Sequence, residues 1–430
     1  MKLLPFKNHN GLMSLYFINS FIVFIWWLVF NPGFFAPDSL GIINKSVAKS
    51  ITSEYTQVWG IFVYFISFGG KHPELATLFF SQLFSFSFTT LGLCLFKKKT
   101  ARMATIAMAM TPTFGALGIT LWHDIPATSG LMLGISGYLK YKNSVNYSKL
   151  YIFFGLFFST FRHNTLFTLS LCLLSFAFLW NRSLIKFVLL SSVLIGSLSF
   201  TLDSHNTPTL NVYSDGAINW MRYDISCYAS DPNSEDFFNS HFNASGSRKL
   251  WESKRACTWF NDSAAWRVRY DQMNSQTVRV WFSLFLENPI SILKIHLERN
   301  SYLVPLPLYG LPQPPFLHTK IDDNPHGIRF WHPDLSQTSR IYPRIWNYFN
   351  FIFGWSGLWL LYTFLVGFFT KSRDIILVGI LGLTLNLGLF VTAVIPDARY
   401  TAFTLLIGQL VFLSNVFALF SRYLSSRKKL

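Results

Sequence analysis

The chain has 430 residues, of which 51% are hydrophobic, 18% aromatic and only 13% charged, with a formal net charge of +16. Charged residues make up about a quarter of an ordinary soluble domain, so this composition excludes a water-soluble globule and points to lipid as the apolar solvent. The basic excess does not signal nucleic acid, because no basic stripe interleaved with aromatics occurs on a polar segment.

Apolar blocks of roughly spanning length, about 17–25 residues, predict an all-α polytopic membrane protein. Ten spans are expected, at about 12–30, 74–96, 103–120, 127–140, 150–161, 165–180, 184–202, 346–369, 375–394 and 401–420. The fourth and fifth are short enough to be tilted, buried in protein or partly re-entrant. The first is too long for a cleaved signal peptide, and no small-x-small site follows Phe30-Asn31-Pro32. Between spans one and two, residues 41–50 form a candidate amphipathic helix and 57–69 a segment too short to span. Both are expected as interfacial helices on the outer face. The chain thus divides into a transmembrane region 1–202 with seven spans, a mixed, largely helical extracytoplasmic domain 203–345, and a transmembrane region 346–430 with three. Within the domain, helical periodicity over 262–303 breaks at Asn288-Pro289, and the proline-rich 304–318 must be extended or turning.

Charge sets the orientation. With the N-terminus inside, the inside turns hold 17 basic residues and one acidic residue, Asp374, so the whole net charge lies on the cytoplasmic side. The protein is therefore expected as a multi-pass protein of a bacterial inner membrane with its working face periplasmic. Cys94 and Cys172 fall within spans as packing residues. Cys227 and Cys257 share the outside domain and are expected to pair in an oxidising compartment.

The outside turns carry a different chemistry from the inside ones. Asp38 follows the first span, and Trp122-His123-Asp124-Ile125-Pro126 joins spans three and four. Arg162-His163-Asn164 joins five and six, and Pro396-Asp397-Ala398-Arg399-Tyr400 joins nine and ten. Ionisable groups near membrane depth are costly and tend to be paired or functional; convergence at one face suggests one polar site. Plainer readings stand beside this one. Asp38 fits a helix cap or turn, Asp124 could simply pair with an arginine, and the arginines could bind headgroups. The histidines could be satisfied interface residues, and Lys71-His72 an ordinary interfacial anchor.

On these residues the chain resembles the GT-C superfamily of polytopic membrane glycosyltransferases, which use sugars carried on polyprenyl phosphate. The matching positions are Asp38 in the first outside loop, His123-Asp124 in the second, Phe161-Arg162-His163-Asn164 near the third, and Ala398-Arg399-Tyr400 before the last span. The layout is also similar to the serotype-converting O-antigen glucosyltransferases of the same broad class. The resemblance implies an acid in the first loop as catalytic base, a second acid nearby, and basic groups holding the lipid phosphate. It departs from the pattern at Asp38-Ser39, where no Asp-Glu pair stands.

The chemistry fits that implication. A carboxylate can take the acceptor hydroxyl proton, the transition state resembles an oxocarbenium ion, and guanidinium groups suit the departing phosphate. The expected activity is inverting transfer of a sugar from a polyprenyl-phosphate donor to an extracytoplasmic glycan, lipid or protein. Asp38 is the candidate base. Asp124 is the second acid, orienting the acceptor or helping to hold a divalent cation. Arg162, His163, Asn164, Arg399, Tyr400, Lys71, His72 and His123 are the candidate substrate-binding residues. Trp220, Trp251, Trp259 and Trp266 are candidate stacking surfaces for the acceptor. Membrane lipids are the other expected partner, and nucleic acid is not one. An O-antigen polymerase or ligase is the rival reading, with Arg267, Arg269 and His296 as its residues. A transporter or flippase ranks below both, because neither midplane polar groups nor two related halves are visible.

Overall fold

The computed structural model describes residues 10–49, 56–145, 147–206, 220–221, 224–225, 227–228, 277–304, 321, 323–332, 354–392 and 398–427. Among them the chain is helical, and its only β feature is an isolated parallel bridge between Phe34 and Thr120. In chain order the helices are α1 (Asn10–Val29), α2 (Pro37–Val47), α3 (Gln57–Ile66), α4 (Pro73–Leu95), α5 (Lys98–Ala109), α6 (Pro112–Ile119), α7 (Asp124–Lys142) and α8 (Ser148–Ser159). There follow α9 (His163–Trp180), α10 (Ile185–Asn206), α11 (Thr277–Glu287), α12 (Pro289–Asn300), α13 (Ser356–Phe369), α14 (Arg373–Thr392) and α15 (Ala402–Arg427).

The helix surfaces are inverted relative to a soluble protein. α1 exposes Met13, Phe17, Phe21, Ile25 and Leu28 at helical spacing, and buries Asn19 against Thr89 of α4 (2.9 Å). α10 exposes Leu190, Val193, Leu194 and Leu198 while burying Ser191 and Ser199. Lipid imposes this pattern, because hydrocarbon offers polar groups no partner and they must find one inside.

Five described helical segments are long and apolar enough to cross a membrane: Pro73–Leu95, His163–Trp180, Arg182–Asp203, Arg373–Phe390 and Arg399–Ser426. Met13–Val29, Ser148–Ser159 and Ser356–Phe369 are apolar but shorter. The count of ten expected spans therefore does not carry over directly. The block expected as one span over 103–120 is two helices, α5 and α6, broken at Thr111-Pro112. Pro112 lacks the N–H that would continue α5, and the Thr111 hydroxyl accepts from Phe114 N instead (3.3 Å), starting α6 anew. Residues 346–353, the start of the eighth expected span, lie outside the described residues.

α7 is the hub. Every residue from Asp124 to Leu139 is buried. It is longer than its apolar block predicts: 19 residues rise about 28 Å at about 1.5 Å each. Its Gly, Ser and Thr content lowers its hydropathy but permits close packing. A Cβ on Gly155 of α8 would lie 2.4 Å from Gly134 N, and one on Gly130 would lie 2.6 Å from Ser159 N. At its far end Lys142 pairs with Asp374 at the start of α14 (2.8 Å).

α2 and α3 are short helices between α1 and α4, in the segment expected to be interfacial. The break at Asn288-Pro289 separates α11 from α12 as the spacing predicts. Residues 323–332 return to the first outside loop. There Phe330 packs edge-on against Phe30 and Phe34 (6.0 and 5.9 Å), and Trp331 N donates to Asn31 O (2.9 Å). Cys94 and Cys172 are free and Cys227 is disulfide-bonded; its expected partner Cys257, like the proline-rich 305–320, lies outside the described residues.

Candidate active site

The chain enters the site from α1 through Asn31-Pro32-Gly33. Gly33 has φ +112°, and a Cβ there would lie 2.7 Å from Thr77 and 2.8 Å from Ile119 O, so this turn needs glycine on both counts. The next residues pair with the end of α6: Phe34 N donates to Ile119 O (3.0 Å) and Leu121 N to Phe34 O (3.1 Å). Pro37 opens α2 at a position that needs no N–H, and Asp38 stands in its first turn, where the helix dipole favours an anion. The Ser39 hydroxyl donates to Leu121 O (2.8 Å). The first and second outside loops are thereby tied together, setting Asp38 beside the turn that carries Trp122, His123 and Asp124.

Four turns meet here. Arg399, in the 3-10 turn Ala398–Thr401, donates from Nη1 to Asp38 Oδ2 (2.9 Å), across 361 positions of sequence. Its Nε lies 3.8 Å from Asp124 Oδ2. Arg162, at the N-terminus of α9, donates from Nη1 to Asp124 Oδ1. Tyr400 packs against both arginines, with guanidinium carbons 4.2 Å (Arg162) and 5.2 Å (Arg399) from its ring centre, and Trp122 lies 4.9 Å from Arg399. Such contacts hold a guanidinium plane in place without consuming its hydrogen-bond donors.

The two acids differ in access. The Asp38 side chain is 31% exposed and that of Asp124 only 2%. The plainer reading of Asp124, pairing with an arginine, is what the geometry shows, and it pairs with two. Asp124 Oδ2 and the Trp122 indole Nε1 are buried with no hydrogen-bond partner among the described residues. His123 Nε2 lies 3.7 Å from Asp124. Burial, with Arg162 and Arg399 nearby, pushes its imidazole down to about 4 against the pull of Asp124, so it is neutral at pH 7.

Other candidates lie elsewhere. His163 turns to Asp203 at the end of α10 (3.5 Å), and Asp203 also accepts from Gln57 N (2.7 Å), joining α9, α10 and α3. Asn164 Oδ1 is buried with no partner among the described residues. Lys71 and His72 are exposed in the turn before α4, His72 pairs with Glu74 (3.0 Å), and neither joins the cluster. His296 is buried between Asp224 and Phe390 O, and Trp220 packs on Trp281 and His296 (5.1 and 5.7 Å). Asp397, Trp251, Trp259, Trp266, Arg267 and Arg269 lie outside the described residues. Sequence reading passed over Ser39, which needs the fold to be seen, and Asp203. The latter was findable, being an acid at the outer end of a span like those singled out.

No group of three or more His, Cys, Asp or Glu side chains that could hold a metal occurs among the described residues. The Asp124 carboxylate faces two guanidiniums.

No protein-family model matches the chain, and no curated protein matches it significantly. Among solved structures it is similar to the archaeal oligosaccharyltransferase AglB from Archaeoglobus fulgidus, in complex with an inhibitory peptide and a dolichol-phosphate. The TM-score is 0.46 at 11% identity, over 99% of this chain and 52% of the other. This chain thus spans about half the length of that protein, and the likeness is too weak to assign fold or function.

Proposed function

We propose that the protein is an inverting membrane glycosyltransferase of GT-C type, moving a sugar from a polyprenyl-phosphate donor to an acceptor on the non-cytoplasmic side. The observation that carries this reading is the quartet of Asp38, Asp124, Arg162 and Arg399, drawn from four separate turns, in which one carboxylate is accessible and the other is buried. Asp38 is the base, because an incoming hydroxyl can reach it. Asp124 holds the two guanidiniums, and these bind the donor phosphate. The buried indole N–H of Trp122, beside Arg399, is a further donor on that side.

Charge supports the assignment. Two acids and two arginines are balanced at rest. When the acceptor oxygen attacks the anomeric carbon, its proton passes to Asp38 and the bond to the phosphate oxygen breaks. The quartet then becomes net positive by one charge as the departing phosphate gains one negative charge. Protonation of Asp38 also loosens its ion pair with Arg399, freeing that guanidinium for the phosphate. Stabilisation therefore rises towards the transition state, as catalysis requires.

The expected acceptors are cell-envelope glycans such as O-antigen, within lipopolysaccharide, or a lipid or protein; hexosyl transfer is part of the same proposal. The polymerase or ligase reading draws no support from His296, which is packed as a structural residue. The test is sugar transfer from synthetic polyprenyl-phosphate sugars, read by mass spectrometry of the acceptor. Asp38→Asn keeps the shape but cannot take the proton, and should lose about 10²–10⁴ in turnover with donor binding retained. Full turnover in that variant would sink the assignment. Because two arginines do the work a cation would do, turnover should persist in a chelator; its loss, and recovery with a divalent ion, would replace the arginine scheme.

A further inference from the structure

α11 and α12 carry an apolar stripe that none of the described residues covers. Val278, Phe282 and Leu286 on α11, with Ile290, Leu293 and Leu297 on α12, follow one another at three- and four-residue spacing and are all exposed, Leu286 at 72% and Ile290 at 81%. Exposed apolar residues thus occur on both sides of the Asn288-Pro289 break. α12 turns Ile290, Leu293 and Leu297 outward beside Ser291 and Lys294, and buries His296 and Asn300 together with Ile292.

The buried face shows where the pair sits. His296 and Asn300 both bond to the carbonyl of Phe390 (3.2 Å from Asn300), and the His296 ring packs on that of Phe390 (5.1 Å). Phe390 lies in the last turn of α14, which crosses the membrane and ends among the described residues at Thr392. α12 is thus fastened to the last turn of a spanning helix, at the end that leads into the Arg399 turn. α14 itself exposes Leu383 and Leu387 (58%) on the turns that precede Phe390. Arg279 and Lys294 are exposed beside the stripe, and long basic side chains of this kind can reach lipid phosphates from an interfacial helix.

We infer that α11 and α12 form a monotopic lipid-embedded pair, lying in the outer part of that leaflet with the six apolar side chains in hydrocarbon. The occupant of the stripe is lipid, and the large outside segment is tethered to the bilayer surface along about 35 Å of helix. This inference is independent of the proposed chemistry.

The test uses the full chain in lipid nanodiscs, with Cys94→Ala and Cys172→Ala to remove the free thiols. Nitroxide labels are placed singly at Leu286→Cys, Ile290→Cys and Leu293→Cys, and at the exposed off-stripe positions Glu287→Cys and Ser291→Cys. Power saturation compares access to oxygen, which partitions into lipid, with access to a water-soluble nickel chelate. The stripe labels should favour oxygen several-fold over the chelate, and the off-stripe labels the chelate. Chelate access along the stripe would place it in water. Protection from both relaxants would show a protein neighbour, such as a second copy of the chain. Either result overturns the proposal.

Discussion

At the scale of single residues, the distinction that matters is between two aspartates that look alike in sequence. Asp38 keeps one face open, whereas Asp124 is closed in by two guanidiniums. Removing Asp124 leaves Arg162, largely buried, without the carboxylate it donates to, and takes one of its two carboxylates from Arg399. Asp124→Ala should therefore cost about 3–5 kcal/mol in stability, read as a loss of thermal midpoint in detergent, besides weakening donor binding. Arg399→Ala should lower donor binding and turnover together, since the charge acts in ground and transition states. Arg399→Lys should restore only part, lacking the planar paired donors. Equal activity of the lysine and wild-type forms would remove Arg399 from phosphate recognition. His123 gives a pH test. Burial holds its folded pKa at about 4, below the ordinary histidine value of 6.5, so between these values only the unfolded chain binds the proton. Stability from this residue is complete above about 6.5 and falls as pH drops towards 4, by about 1.4 kcal/mol per unit of difference. His123→Gln should flatten this part of the melting profile between pH 7.5 and 4.5; an unchanged slope would show that another group is responsible.

At the scale of elements, the α7–α8 contact connects packing to the site. α7 begins with Asp124, and the turn after α8 carries Arg162, so the spacing of the two helices sets that ion pair. Backbone approaches backbone at Gly130, Gly134 and Gly155, where no side chain fits. Gly155→Ala should force the helices apart and cost about 1–3 kcal/mol. It should also reduce turnover although residue 155 lies well below the site. Normal melting and normal turnover in this variant would show that the contact has slack.

At the scale of the whole molecule, the balance of 17 basic residues against one acidic residue on the inside turns predicts both termini in the cytoplasm and residues 203–345 outside. Reporter fusions at Lys97, Asp231 and Lys428 check it, and an outside signal at Lys97 would overturn the orientation. The same orientation predicts that Cys227 pairs with Cys257. Mass spectrometry of unreduced peptides should show that one crosslink, and two free thiols in protein from an oxidising compartment would refute it.

Lipid class and helical content are local properties, and they were legible in the sequence by itself. A bilayer demands apolar runs, and Asn288-Pro289 breaks a helix wherever it occurs. That Asp38, Asp124, Arg162 and Arg399 share a face was also inferable, since span counting puts their turns on one side. Three things needed the tertiary structure. The expected span at 103–120 became two helices, because Thr111-Pro112 ends one and caps the next inside a bundle able to satisfy the broken backbone. His163 went to Asp203 and away from the cluster, because the direction of a side chain depends on which helix lies beside it. The unlike exposure of the two aspartates was decided the same way: Asp124 starts a helix packed on all sides, and Asp38 starts a short helix at the edge. Hydropathy reports whether a segment leaves water, but only packing decides which of its charged ends stay open to a substrate.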